Sequence, residues 1–132
     1  MTIAPPVVAE VIAHARECQP RECCGILLGT ASRVSVAVRA RNLADSPSRF
    51  LLDPKDHIEA RRTARARGLE VIGFYHSHPH SAPQPSPTDL AEAEYPGCLH
   101  LIVGFVGGVP EVRAFRYAEG RAEEFRIQDS EF

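Results

Sequence analysis

No part of this 132-residue sequence is apolar for long enough to cross a bilayer. Its longest apolar runs, Gly25 to Leu28 and Leu99 to Val106, fall well short of the roughly 18 residues that a spanning helix needs. The first 17 residues lack a cationic start and a long apolar stretch, so no secretory signal is expected there. Charge of one sign is also missing. The net charge is -2, which gives no electrostatic case for nucleic acid or an anionic membrane as the partner. Four cysteines are too few and too badly placed for a disulfide framework. Cys23 and Cys24 are adjacent, and no C-x-x-C knuckle occurs. Buried, reduced thiols in a cytoplasmic protein are the expectation. Internal repeats, linkers and low-complexity segments are absent as well, and the length suits one domain over residues 1–132.

What is present is an alternation of helical and strand-like segments. Pro5 and Pro6 open a helix to about Cys18, with Val7, Val8, Val11, Ile12 and Ala15 in one apolar stripe. Glu22 to Thr30 reads as a buried strand and Arg33 to Ala40 as its hairpin partner. Asp53 caps a helix that has Pro54 at its first position and stops at Gly68. Its cations Lys55, Arg61, Arg62, Arg65 and Arg67 form a solvated face or, on the sharper reading, a docking surface for an acidic partner. Leu69 to His76 is a central strand. A loop from Pro79 to Pro87 holds four prolines and suits neither a helix nor a sheet interior. A helix capped by Thr88 or Ser86 is expected over Asp89 to Tyr95. Strands at Leu99 to Val106, Val109 to Tyr117 and Ala122 to Ile127 follow, with Gly107-Gly108 as a hairpin turn. The fold class is α/β, a central mixed sheet flanked by helices.

His76 and His78 stand two apart on a strand, so their side chains share one face and Ser77 faces the other way. Two imidazoles so spaced can converge on one ion, and Asp89, beyond the proline loop, offers a carboxylate as third ligand. Two histidines and a carboxylate leave the fourth tetrahedral position to water, the pattern of a catalytic zinc. A histidine pair alone is more often merely hydrogen-bonded. The longer pattern, Glu22 upstream, then His76-x-His78, seven residues, Ser86, two residues, Asp89, is what raises it above that reading.

This pattern resembles the JAMM motif of the MPN+ metallopeptidases, E…H-[ST]-H-x7-S-x2-D, at every position. Pro20-x-Glu22-x-Cys24-Gly25, Phe50-x-x-Asp53-Pro54 and Gly73-Phe74-Tyr75-His76-Ser77-His78-Pro79 are also similar to family segments, and the resemblance spans roughly residues 5–118. It implies a single MPN domain of cytidine-deaminase-like fold. It also implies one Zn2+ with a bound water on His76, His78 and Asp89, Glu22 as general base and then acid, and Ser86 as donor to the oxyanion. Gly104 departs from the serine common among relatives, which puts in doubt a secondary hydrogen bond there. His80, in the loop, is a further candidate near the metal.

The family cleaves bonds after the Gly-Gly tail of ubiquitin-like proteins, and this chain lacks the insertions of its polyubiquitin-specific members, resembling the small prokaryotic branch. The expected substrate is therefore a ubiquitin-like sulfur-carrier protein, with release of cysteine. Desampylase-like removal of a ubiquitin-like modifier from lysine is the alternative within enzymes, and a non-catalytic MPN binding module is the alternative outside them. A zinc deaminase is excluded by the absence of H-x-E…P-C-x-x-C.

Overall fold

The computed structural model describes residues 1–91 and 97–129. In chain order the elements are β1 (Thr2–Ile3), α1 (Pro5–Cys18), β2 (Cys24–Thr30), β3 (Arg33–Ala40), α2 (Pro54–Ala66), β4 (Glu70–His78), α3 (Pro87–Ala91), β5 (Leu99–Val106), β6 (Val109–Ala118), β7 (Arg121–Phe125) and β8 (Gln128–Asp129). The strands form one sheet of eight in the order β7-β6-β5-β4-β2-β3-β1-β8. The β4–β5 pairing is parallel and the β2–β4 pairing antiparallel, so the sheet is mixed and β4 lies inside it.

Each face of the sheet is covered by a helix whose apolar side the sequence dictates. On one face Val7, Val11 and Ala15 of α1 pack with Leu27, Tyr75, Leu101 and Val103. On the other Ala60 and Ala64 of α2 pack with Ile26, Leu28 and Phe74. Small residues at those two turns let α2 lie close to the strands. Its start is fixed by the Asp53 carboxylate, which accepts from the Lys55 N–H at 2.9 Å, with Pro54 at the first helical position. The five cations of Lys55 to Arg67 are all exposed, as a solvated face requires.

The register places the site. Cys24 pairs with His76 across β2–β4, and His76 with Ile102 and His78 with Gly104 across β4–β5. From Gly73 onward, past a register shift between β2 and β4, even-numbered residues of β4 face α2 and odd-numbered ones face α1, whereas Val71 and Ile72 before the shift are reversed. On the α1 side the Tyr75 hydroxyl is joined to His14 Nδ1 at 2.6 Å in a buried setting. The Tyr75 ring lies flat over Gly25, where any Cβ would collide with it.

Several boundaries differ from the sequence reading. The strand expected from Glu22 begins at Cys24, leaving Glu22 in the connection that precedes it. The strand expected at Ala122 to Ile127 runs from Arg121 to Phe125. The short helix begins at Pro87, capped by Ser86 and not by Thr88, and its expected continuation to Tyr95 lies outside the described residues. β1 and β8, unassigned from sequence, are too short to carry periodicity; β1 pairs in parallel with both β3 and β8. The thiols are free, as expected, with Cys23 and Cys24 buried. Burial pushes the Cys23 thiol up to about 12, so it is inert as a nucleophile.

Replacing Tyr75 with Phe strands the buried His14 nitrogen. The expected cost is about 1–3 kcal/mol, read as a lower urea midpoint with unchanged slope.

Candidate metal centre

Three side chains from two elements meet at the C-terminal end of β4. His76 and His78 come from the strand and Asp89 from the first turn of α3. His76 Nε2 and His78 Nε2 are 3.3 Å apart, and Asp89 Oδ2 is 3.1 Å from the first and 3.0 Å from the second. The three side chains are almost wholly buried, at 2%, 7% and 7% exposure, so water does not screen them. Ligand atoms at about 2.0–2.1 Å from a tetrahedral zinc are separated by about 3.3 Å, close to these spacings.

The chemistry of the donor set argues the same way. His78 Nδ1 lies 3.1 Å from the Ala82 carbonyl oxygen, which can only accept, so the ring proton sits on Nδ1. In the neutral ring Nε2 then presents a lone pair to the carboxylate of Asp89. Lone pairs facing one another at 3 Å in a dry site require a cation between them. Without a metal that cation is a proton. Burial alone would lower the His78 pKa, but bonding to Asp89 and to the Ala82 carbonyl raises it above its ordinary value. Burial lowers that of His76. Burial raises that of Asp89, but the two imidazoles outweigh it and hold the carboxyl well below the usual range. A site poised in this way for positive charge fits a divalent ion.

Ser86 and Asp89 bond reciprocally. The Asp89 N–H donates to Ser86 Oγ at 3.0 Å and the Ser86 N–H donates to Asp89 Oδ2 at 2.9 Å. The Ser86 hydroxyl accepts in this exchange, and its own proton is not used by it. Glu22 is buried beside the centre, and its Oε1 has no hydrogen-bond partner among the described residues. Burial pushes its carboxyl up to about 8, with the charge of His78 opposing and that of Asp89 adding to the rise. Glu22 does not belong to the group of converging ligand atoms, which is limited to His76, His78 and Asp89. His80, considered as a neighbour of the metal, is exposed and outside that group.

Ser77 faces away from the site, as the strand period requires, and accepts from the Cys23 N–H at 2.8 Å, while its own N–H donates to the Cys23 carbonyl at 3.1 Å. This clamp fixes the residue next to Glu22. On its other side the Glu22 N–H donates to the Ser46 carbonyl at 2.8 Å, and the Glu22 carbonyl accepts from Asn42 Nδ2 at 3.0 Å. Asn42 also bonds Arg49, Ala44 and Leu51, so one amide organises the loop between β3 and α2. That loop delivers Phe50, whose ring stacks on His76 with centroids 4.5 Å apart and planes 20° from parallel. From sequence, Phe50 stands only within a family-like segment ahead of Asp53-Pro54 and Asn42 has no role. An asparagine just after a strand, and an aromatic three residues before the Asp-Pro cap, were the available signals.

Comparison with known proteins agrees with this geometry. The family of prokaryotic homologues of the JAB domain matches over residues 4–118. A desampylase of Haloferax volcanii is 36% identical over 109 residues, covering 77% of this chain and 78% of the relative. A CysO-cysteine peptidase of Mycobacterium tuberculosis is 28% identical over 127 residues, covering 94% and 87%. Among solved structures, a protein of Desulfitobacterium hafniense superposes with a TM-score of 0.90 at 29% identity, over 99% of this chain and 93% of the other. A chain that carries this donor set on this sheet, and matches that family over nearly its whole length, belongs to the prokaryotic JAB-domain family and is a JAMM-type metallopeptidase.

Proposed function

We propose that the enzyme is a zinc peptidase that hydrolyses the bond after the C-terminal Gly-Gly of a ubiquitin-like sulfur-carrier protein, releasing cysteine. The observation that carries the chemistry is the convergence of two imidazole nitrogens and one carboxylate oxygen within 3.3 Å, beside a buried glutamate with a partnerless oxygen. In this reading His76, His78 and Asp89 hold the ion. A bound zinc supplies a Lewis acid and lowers the pKa of water toward about 7.

The protein's own groups supply the rest. Glu22 takes a proton from the attacking water and hands it to the departing amine, a task for which a raised carboxyl pKa is suited. The Ser86 hydroxyl donates to the oxyanion that develops on the scissile carbonyl. The loop ordered by Asn42 keeps the Glu22 backbone in place, and Phe50 restricts rotation of the His76 ring. Substrate assignment follows the family resemblance and the small cysteine-releasing relative that spans nearly the whole chain. A second reading, isopeptide cleavage that frees lysine side chains from a ubiquitin-like modifier, is favoured by the higher identity to the haloarchaeal desampylase. Parallel assays on a carrier–cysteine fusion and a lysine isopeptide conjugate decide between them. Faster cleavage of the isopeptide overturns the first reading.

Metal analysis is expected to find about one zinc per chain, with most of it lost in His78→Ala. Glu22→Gln is expected to retain zinc and lose about 100–10,000-fold in kcat, and near-normal turnover would remove Glu22 as the base. Asn42→Ala is expected to lower kcat by about 10–100-fold at full zinc occupancy, by loosening the Glu22 backbone and the loop that carries Phe50.

The raised Glu22 pKa also has a signature in the metal-free protein. The unfolded chain ionises this group near its ordinary 4.5 while the folded chain holds it neutral to about 8. Its contribution to stability is therefore complete below pH 4.5 and is lost as pH rises to about 8. Relative to wild type, Glu22→Gln should gain stability progressively across that window and level off above it, as read by urea denaturation after chelation.

A further inference from the structure

We propose that Gly104 is a positioning residue. By having no side chain, it seats the Ser81–Pro83 loop so that the loop's carbonyl fixes the ring tautomer of His78. Gly104 is the β5 partner of His78 in the parallel β4–β5 ladder. The proline-rich loop folds back over it. A Cβ at position 104 would collide with the Pro83 nitrogen and lie 2.5 Å from the Ser81 oxygen and 2.7 Å from the Ala82 carbonyl carbon. All three are main-chain atoms, so no rotamer change relieves the overlap, and the loop itself would have to lift.

The lift matters because of what the loop carries. The Phe105 N–H donates to the Ser81 carbonyl at 2.9 Å, which docks the loop on the end of β5. One residue further on, the Ala82 carbonyl accepts from His78 Nδ1 at 3.1 Å. A carbonyl acceptor at Nδ1 is what leaves Nε2 with its lone pair turned toward His76 and Asp89. Loss of that acceptor frees the ring to place its proton on Nε2, where it would block the centre. Position 104 thus acts on the centre through backbone alone, with no contact to the ion or to substrate. Any side chain at this position would require a different path for the loop.

The tautomer claim stands on the geometry, whereas its effect on metal affinity rests on the reading of His78 as a ligand. Nitrogen-15 NMR of the histidine rings in metal-free wild type and Gly104→Ala, recorded at an alkaline pH where the His78 ring is neutral, separates the two, alongside zinc affinity measured by chelator competition. The expectation is an Nδ1–H ring for His78 in wild type, a mixed or Nε2–H ring in the folded variant, and zinc binding weakened by about 10–100-fold. A variant that kept the His78–Ala82 contact would leave the tautomer unchanged. An Nε2–H ring in wild type, or an unchanged ring in folded Gly104→Ala, overturns the proposal. If that variant does not fold, Pro83→Gly decides. It loosens the same loop without a collision and is expected to give a mixed tautomer, and an unchanged ring there overturns the proposal as well. Wild type that binds no zinc but shows the expected ring behaviour would instead overturn the metal reading above and leave this inference supported.

Discussion

Three lone-pair donors held face to face in a water-excluded pocket are electrostatically unfavourable unless positive charge lies between them. His76, His78 and Asp89 are in that state, and much of the surrounding structure resists the relaxation that would relieve it. A carboxylate this buried would ordinarily protonate. Here the two imidazoles and the Ser86 N–H keep it ionised. The centre is therefore preorganised for a cation before one arrives, which is the condition for tight binding without rearrangement.

The restraints come from four directions and use different physics. Hydrogen bonding from the Ala82 carbonyl orients one imidazole, and aromatic stacking by Phe50 orients the other. A reciprocal cap between Ser86 and Asp89 joins the third member of the centre to the start of α3. Glu22 is held by its backbone, through Ser46 and Asn42 on one side and the Ser77 clamp on Cys23 on the other. One of its carboxylate oxygens, Oε1, has no partner among the described residues, and burial raises the proton affinity of the group. Fixing the main chain while leaving one carboxylate oxygen unpartnered suits the proton-transfer role proposed for Glu22.

Much of this could be read from the amino-acid sequence because it depends on local periodicity. The two-residue period of a strand puts His76 and His78 on one face and Ser77 on the other, and Ser86 three residues before Asp89 is a capping pattern. Asp53-Pro54 and Gly68 bracket α2 for similar reasons. The parts that escaped depend on contacts between distant segments. Phe50 on His76 and Asn42 on Glu22 join residues 26 and 20 positions apart, and no local pattern reports them. Gly104 was legible only as a departure from related sequences. That the missing side chain makes room for a backbone became visible once the loop was seen lying over it. β1 and β8, two residues each, have no period to read.

The two faces of β4 divide their tasks by parity. Gly73, Tyr75 and Ser77 hold the strand to its neighbours and to α1, whereas Phe74, His76 and His78 look toward α2 and the centre. Because the same strand serves both purposes with different residues, natural variation can erase the chemistry without unravelling the scaffold. A descendant that exchanged both histidines for apolar residues would keep the odd-numbered anchoring intact. A non-catalytic binding module on the same scaffold is the outcome that such an arrangement makes easy to reach.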